Sequence, residues 1–277
     1  MLLSLLLLQT AATFRSPRVT ESSGVVVSRA HPGVLWTHND SGDGPYLYAT
    51  DLKGADRGAI RVSGAEAIDW EDLSSGPCPT GSGPCLFIGD TGDNLERRSS
   101  VTIYAVPEPA PPVVPGDTQR VTAAAATLRL RYPDGAHDVE AIFVSPLDGA
   151  VYLVTKGRGG PVRLYRVNRG EWRRTSVATA QLVQVLPITP KRSLGRLVTG
   201  AAIRTDGTLI AIRTYRDITF FVPAADGRLL PARRPVCSTR GLDRTGEGVA
   251  FLDDSTLVLT SEADRIGPGS IHTLNCP

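Results

Sequence analysis

Apolar residues in this chain occur in short runs of roughly four to eight positions, dominated by Val, Ile, Leu, Thr and Tyr. Gly, Asp and Pro separate these runs, and convincing helical periodicity is hard to find anywhere in the chain. Short runs rich in β-branched residues and bounded by turn formers are typical of strands. The pattern therefore predicts an all-β chain.

Five segments of the chain share one order of features: a strand, a turn, a second strand that ends in a charged residue, a loop and a third strand. The third segment, VEAIFVSPLDGAVYLVTKGRGGPVRLYRV, is the clearest example. Apolar runs between the segments, such as GAIRVSG, ATLRLRYP and AQLVQVLPI, supply a fourth strand. Four-stranded units at a spacing of roughly 50 residues are typical of β-propeller blades. We therefore expect a β-propeller of five four-stranded blades.

The fifth segment is not followed by a fourth strand of its own. We expect Phe14–Thr20 to supply that strand and close the ring, as propellers do to hide their sheet edges. One alternative is a six-bladed ring, with a degenerate blade in one of the long spacers at Ala110–Arg131 and Glu171–Arg196. A β-sandwich is the other alternative, but it gives no reason for a charged residue at the end of every second strand.

The first residues of the chain, MLLSLLLLQTAAT, form an apolar run that ends in small residues. This pattern predicts a signal peptide over residues 1–12 and a single propeller domain over residues 13–277, so the protein is expected to be secreted or periplasmic. The absence of a Lys or Arg before the run favours the alternative of a buried N-terminal strand or helix. The run is shorter than the ~20 residues that span a bilayer, and no later segment is long and apolar enough.

The net charge of the chain does not point to a charged binding partner. The net charge is +2, from 30 Lys and Arg and 28 Asp and Glu, so neither nucleic acid nor an anionic membrane is expected. A monomer with a small-molecule or glycan ligand is expected instead.

The four cysteines fit an oxidising compartment. Of the three possible pairings, Cys78 with Cys85 and Cys237 with Cys276 is favoured, because the first pair closes a local loop and the second ties down a chain end. Zinc binding is the rival interpretation. The chain has no C-x-x-C, and its four histidines are not at ligand spacing.

Blades run outward from the axis of a propeller, so the beginnings of the first strands and the ends of the second strands converge on one axial pocket. The first column contains Ser23, Glu71, Glu140, Gly200 and Glu247, and the second contains Asp40, Asp90, Lys156, Arg213 and Glu262. Catalytic roles are predicted for Glu71, Glu140, Glu247, Lys156 and Arg213. Metal-binding roles are predicted for Asp40, Asp90, Glu71, Glu140, Glu247 and Glu262.

Crowded carboxylates need a cation, a basic neighbour or a shared proton. Lys156 and Arg213 compensate part of the negative charge, and Ca²⁺ is the expected ion because it takes several oxygen ligands at flexible geometry. The related stretches NDSGDG and GDTGDN do not follow the EF-hand pattern. Asp43 and Asp93 are expected to stabilise turns, whereas Asp40 and Asp90 are candidates for either a turn or the channel. Asp69 and Asp138 are expected to bond neighbouring blades.

The motifs WTHNDSG, DWEDL, GDTGDN, YPDGAHDVEAI, VTGAAI, IRTY and GEGVAF resemble those of a group of secreted bacterial propeller proteins without an assigned activity. The resemblance covers nearly the whole mature chain. More distantly, the D-x-E and E-G-hydrophobic steps look like those of the SdiA-regulated and phytase-like calcium-dependent propellers. Unlike a phytase, this chain has few clustered Lys and Arg residues for phosphate.

Two functions fit the predicted pocket. One is a secreted hydrolase of an ester, phosphoester or glycoside, in which the carboxylates act as general acid and base or hold Ca²⁺. The other is a non-catalytic binding module whose axial charges are structural. Serine-nucleophile chemistry is not expected, since the chain has no G-x-S-x-G.

Overall fold

The computed structural model describes residues 11–276, and its strands form five sheets arranged as a five-bladed β-propeller. This confirms the predicted fold class and the count of five blades. The four main strands of each blade are antiparallel, and the first of them lies nearest the axis. The first strands of neighbouring blades contact one another around the ring.

The strands of the five blades have the following bounds. Blade 1 contains β2 (Ser22–Val27), β3 (Leu35–Asn39), β4 (Tyr46–Thr50) and β5 (Ala59–Ser63), with β9 (Arg120–Ala124) added in parallel to β5. Blade 2 contains β6 (Trp70–Pro77), β7 (Pro84–Asp90), β8 (Val101–Pro107) and β10 (Ala126–Arg131), with β14 (Ala178–Thr179) added in parallel to β10. Blade 3 contains β11 (Val139–Val144), β12 (Val151–Thr155), β13 (Arg163–Val167) and β15 (Gln181–Val185).

Blade 4 contains β16 (Val198–Ile203), β17 (Ile210–Thr214), β18 (Asp217–Pro223) and β19 (Leu229–Pro231), and β20 (Cys237–Ser238) also pairs with β18. Blade 5 contains β21 (Gly246–Phe251), β22 (Thr256–Ser261), β23 (Ser270–Asn275) and β1 (Ala11–Thr13). Two short 3-10 helices occur at Arg169–Arg173 and Arg192–Leu194. The two long spacers hold β9, β14 and these helices, and no sixth blade is formed by the described residues.

An N-terminal strand closes the ring, as predicted, but the strand is not the one expected. β1 at Ala11–Thr13 pairs with β23, whereas Phe14–Thr20 contains no strand. Phe14 and Val19 instead pack into the core between blades 5 and 1. Most of the predicted signal peptide lies outside the described residues. Its last two positions, Ala11 and Ala12, are part of β1 in this structure.

The hydrophobic core consists of five clusters, one between each pair of neighbouring blades. The cluster between blades 1 and 2 contains the buried indoles of Trp36 and Trp70. Because every blade buries both of its faces against its neighbours, its strands are apolar on both sides, and the sequence shows continuous short apolar runs.

Both predicted disulfides are confirmed, Cys78–Cys85 and Cys237–Cys276, and they indicate an oxidising environment for folding. Cys237–Cys276 joins the connection between blades 4 and 5 to the end of β23. The described part of the chain has no helix with the length and hydropathy needed to cross a membrane.

Candidate functional site

The first strands of the blades begin with β-bulges, and these bulges direct side chains to the axis. Glu71, Glu140 and Thr199 are the extra residues of the bulges in β6, β11 and β16. In β21, Glu247 lies in the corresponding irregularity. An extra residue interrupts the two-residue alternation of a strand and changes the direction of a side chain. Thr199, rather than Gly200, therefore occupies the blade 4 position of this column.

The second column is also shifted in two blades. Asp40, Lys156 and Glu262 directly follow β3, β12 and β22. In blades 2 and 4 the second strand is still paired at Asp90 and Thr214, which lie opposite Trp70 and Val198 of the first strands. The residues that directly follow these second strands are therefore Thr91 and Tyr215. The predicted second column therefore coincides with the residue after the second strand in blades 1, 3 and 5. In blade 2 the predicted residue, Asp90, lies one position before that residue, and in blade 4 Arg213 lies two positions before it.

Two groups of carboxylates lie on the side of the pocket formed by blades 1, 2 and 3. The first group is Asp40, Asp69 and Glu71, and the second is Glu71, Asp138 and Glu140. Within each group, one oxygen of every residue lies within 4.8 Å of the others. Such a donor set could hold a hard cation, since carboxylate oxygens are the ligands that Ca²⁺ prefers. We call these five residues the acidic cluster.

Gly92 makes room for the acidic cluster. A Cβ atom at this position would lie 2.2 Å from Glu71 Oε1 and 2.5 Å from Asp69 Oδ2. Gly92, the second glycine of the GDTGDN stretch, therefore allows these two carboxyl groups to approach the backbone closely. Around it, Asp93 has the predicted turn role, because its Oδ2 accepts a hydrogen bond from the Arg98 N–H at 2.6 Å.

Glu71 belongs to both carboxylate groups and forms no ion pair with a described residue. It is 4 % exposed, and no described residue donates a hydrogen bond to its carboxyl group. Burial, followed by the charge of Glu140, raises its pKa well above the usual value. Burial and the neighbouring Asp40 raise the pKa of Asp69 to about 6. A bound cation would lower these pKa values, because it favours the charged form of each carboxyl group.

Asp138 links the acidic cluster to the loop of blade 2. Its Oδ1 accepts a hydrogen bond from the Asp93 N–H at 3.0 Å, which is the inter-blade bond that the sequence predicted. Its Oδ2 is buried and has no hydrogen-bond partner among the described residues. Arg158 Nε lies 3.8 Å from that oxygen, at the rim of the pocket. One oxygen of Asp138 is therefore structural, and the other remains available to a ligand.

Lys156 is the buried cation of the pocket. Its Nζ forms an ion pair with Glu140 Oε1. Burial lowers the pKa of Lys156, but Glu140 outweighs burial, and the net effect raises the pKa. Burial raises the pKa of Glu140, and Lys156 opposes that rise. Lys156 therefore pairs directly with one of the five carboxyl groups of the acidic cluster, and its charge also opposes the raised pKa values of Glu71 and Asp40.

Blades 4 and 5 supply the opposite wall, which consists of Glu247, Glu262 and Tyr215. None of these side chains has a hydrogen-bond partner among the described residues, and Glu247 Oε2 is buried. Burial and the charge of Glu140 raise the pKa of Glu247 well above its usual value. Burial and Asp40 raise the pKa of Glu262 to about 7. Burial and Glu247 raise the pKa of the Tyr215 hydroxyl, so it remains protonated.

Two predicted site residues lie in structural ion pairs beside the pocket. Arg213 is fully buried, with its Nη2 2.7 Å from Asp243 Oδ2, and its Nη1 donates to the carbonyl oxygens of Gly248 and Thr260. Asp90 Oδ1 lies 2.9 Å from Arg98 Nη2. Neither Asp90 nor Glu247 nor Glu262 belongs to the carboxylate groups that lie within 4.8 Å of one another.

The sequence assigned no pocket role to Asp69, Asp138 or Tyr215. The signal for the two aspartates was the repeated D-x-E step, DWE in blade 2 and DVE in blade 3. The signal for Tyr215 was its place directly after the second strand of blade 4. The chain matches no protein family and no curated protein sequence. Its function must therefore be inferred from the pocket itself.

Proposed function

We propose that this protein is a secreted propeller that binds Ca²⁺ in the acidic cluster. The observation that carries this proposal is Glu71, a buried carboxyl group that is shared by two carboxylate groups and accepts no hydrogen bond from a described residue. A buried carboxylate without an ion-pair partner costs free energy, and a bound cation offsets that cost. The two disulfides support an extracellular or periplasmic location, where millimolar calcium sites function.

The chemistry of the donor set supports Ca²⁺ over zinc. All five members of the acidic cluster offer oxygen atoms, and none of the four histidines belongs to it. Zinc sites in proteins use mainly Cys and His, whereas calcium sites use six to eight oxygen atoms in flexible geometry. Both oxygens of the carboxyl groups and the adjacent backbone carbonyls can contribute to that number.

A calcium titration of thermal and urea unfolding tests this proposal. An ion that binds only the folded ring stabilises it by RT ln(1 + [L]/Kd), about 2.7 kcal/mol at a hundredfold excess over Kd. The Glu71→Gln variant keeps the shape of the side chain and should lose most of this gain. Glu247→Gln removes a carboxylate from the opposite wall and is the matched control. An equal response of wild type and Glu71→Gln to calcium and chelator would show that the cluster holds no ion.

A hydrolase is the second candidate function, and the opposite wall supports it. Glu247, Glu262 and Tyr215 have no side-chain hydrogen-bond partner among the described residues, and burial and the charges of Glu140 and Asp40 in the acidic cluster raise the pKa values of Glu247 and Glu262. A carboxyl group with a raised pKa can donate a proton to a leaving group near neutral pH. The bound cation would polarise an ester or phosphoryl oxygen. In this proposal, Glu247 or Glu262 is the general acid, and the ion pair with Lys156 favours the ionised form of Glu140 against the effect of burial.

Chromogenic esters, phosphoesters and glycosides test this activity, each with calcium and with chelator. Hydrolysis should require calcium, and Glu247→Gln should reduce kcat while leaving calcium-dependent stabilisation intact. A protein that binds calcium but hydrolyses none of these substrates would instead support the non-catalytic module. The buried ion pair of Arg213 with Asp243 is the observation that favours that alternative, since there an axial charge has a structural partner.

A further inference from the structure

A second polar cavity lies apart from the acidic cluster, between the loop that joins β7 to β8 and the segment that follows β10. Its volume is about 210 Å³. The residues that matter for its chemistry are Arg97, Arg98, Ser99, Ser100, Arg131 and Tyr132. Strand pairing of Val101 with Leu130 brings the two sides of the cavity together, because Ser100 and Arg131 are the next residues on each strand.

The lining carries uncompensated positive charge. Arg97 has no partner among the described residues, and Arg131 makes one hydrogen bond, from Nε to Thr179 Oγ1 at 3.2 Å. Arg98 is neutralised by Asp90. The one carboxylate in the lining, Glu96, has its Oε1 4.0 Å from His137 Nδ1 and its Oε2 beside Gly159. With Arg98 neutralised, Arg97 and Arg131 outweigh Glu96, and the lining keeps an excess of one positive charge.

Tyr132 adds a buried hydrogen-bond donor. The residue is 7 % exposed, and its hydroxyl has no hydrogen-bond partner among the described residues. Its ring is held in place by Tyr165, with ring centroids 4.8 Å apart. Burial raises the pKa of the Tyr132 hydroxyl, so it remains protonated and able to donate. A buried hydroxyl without a partner is costly, and a ligand that accepts its hydrogen bond removes the cost.

We propose that this cavity binds an oxyanion, namely a phosphate or sulfate group that is either free or part of a larger molecule. Guanidinium groups donate paired hydrogen bonds that match the oxygens of phosphate and sulfate. The hydroxyls of Ser99, Ser100 and Tyr132 supply further donors. A volume of about 210 Å³ corresponds to about seven water molecules in the liquid, so a phosphate or sulfate ester group fits. This site does not depend on a cation in the acidic cluster.

Titration calorimetry with inorganic phosphate and inorganic sulfate tests the site. A chelator is present, so that phosphate cannot bind through calcium, and sodium chloride is held constant. Arg97→Gln and Arg131→Gln should each weaken phosphate binding about tenfold, and Tyr132→Phe about fivefold. Arg61→Gln removes an exposed strand arginine outside the cavity and should leave the affinity unchanged.

A second measurement separates binding from folding. Without phosphate, Tyr132→Phe should melt at the wild-type temperature or above it, because the variant removes an unpaired buried hydroxyl while keeping the ring. Glycerol phosphate serves as the second ligand. Equal or tighter binding of the ester supports a group on a larger molecule, and binding of inorganic phosphate alone supports a free anion.

The rival site is the exposed arginines of blades 4 and 5. The side chain of Arg216 lies against Gly195, and its carbonyl oxygen accepts a hydrogen bond from the Thr239 N–H, beside the exposed Arg240. If Arg216→Gln abolishes phosphate binding while Arg97→Gln and Arg131→Gln retain it, the cavity is not the oxyanion site. The proposal is also overturned if wild type binds phosphate and sulfate no more tightly than the Arg97→Gln variant does.

Discussion

Asp72 in blade 2 accepts a hydrogen bond from the backbone N–H of Ala201 in blade 4, at 3.1 Å and across 129 residues of sequence. The same oxygen, Oδ2, accepts the Ile142 N–H of blade 3 at 2.9 Å, and Oδ1 accepts the Leu73 N–H. Asp72 is fully buried. The corresponding positions in the other blades are small: Gly24, Ala141, Gly200 and Gly248. One carboxyl group therefore joins three blades at the axis, directly beneath the acidic cluster.

Replacing Asp72 with Asn should lower the free energy of unfolding by about 1–3 kcal/mol, because an amide cannot accept all three hydrogen bonds and leaves a buried group unsatisfied. Urea unfolding measures the change. Asp254→Asn is the control, since Asp254 is exposed and should change stability by less than about 0.5 kcal/mol. Equal stability of the two variants would contradict a structural role for Asp72.

Replacing Gly92 with Ala should abolish calcium-dependent stabilisation while leaving the ring folded. The new Cβ would lie 2.2 Å from Glu71 Oε1, so the carboxyl groups of Glu71 and Asp69 must move apart. Gly170→Ala is the matched control, because nothing lies within 4 Å of a Cβ there and neither glycine has a positive φ. Melting curves with calcium and with chelator measure the effect. A Gly92→Ala protein that responds to calcium like wild type would separate Gly92 from the site.

Calcium-dependent stabilisation should increase with pH. The pKa of Asp69 is raised to about 6 and that of Glu262 to about 7, so the calcium-free folded protein holds protons that the unfolded chain has lost. These two groups contribute to the free energy of unfolding of the calcium-free protein. The contribution is fully present below their pKa values in the unfolded chain and is lost as pH rises through about 6 to 7. Calcium in the acidic cluster competes with the proton of Asp69, and its charge disfavours the proton of Glu262, so its contribution grows over the same window.

The measurement is the difference in melting temperature with and without calcium, from about pH 5 to about pH 8. Burial lowers the pKa of His38 to about 4, so the contribution of His38 to stability is lost as pH falls from 6.5 towards 4. Because this loss occurs with and without calcium, it cancels in the difference. A difference that stays constant across this range would mean that calcium does not bind at the raised carboxyl groups.

The two disulfides should contribute unequally to stability. Cys237–Cys276 spans 39 residues and Cys78–Cys85 spans 7. The chain-entropy relation gives about 4 kcal/mol for the first and about 2 kcal/mol for the second. Urea unfolding of the two double Cys→Ala variants compares them directly, and each serves as the control for the other. A larger loss for the Cys78–Cys85 variant would point to local strain or packing instead of loop closure.

The sequence predicted the strands, the five blades and the Cys78–Cys85 disulfide because each depends on local features, and Cys237–Cys276 followed as the remaining pair. β11, β12 and β13 follow the apolar runs of the third segment, and Cys78 and Cys85 flank a loop of turn formers. The closing strand was misplaced because its three residues, Ala11–Thr13, lie within the run that resembles a signal peptide. A strand of three residues has no periodicity of its own, and it forms only because β23 pairs with it.

The pocket was predicted less well because β-bulges change the register at the start of each first strand. Glu71 and Glu140 were identified by their place before an apolar run, but the bulges also bring Asp69 and Asp138 to the same side. Arg213 was expected in the pocket because it is the charged residue nearest the end of β17. Its guanidinium points instead to Asp243, which the pairing pattern of a single strand cannot reveal.

The pairing of β1 with β23 also constrains the order in which the molecule can form. Ala11–Thr13 pair with a strand, Ser270–Asn275, that lies about 260 residues away in the sequence. Until these two segments meet, the outer edge of blade 5 is incomplete. Contacts this distant in sequence slow folding, since a long loop must close before they form. The ring should therefore fold in two kinetic phases, with blades 2, 3 and 4 protected from hydrogen exchange before blade 5.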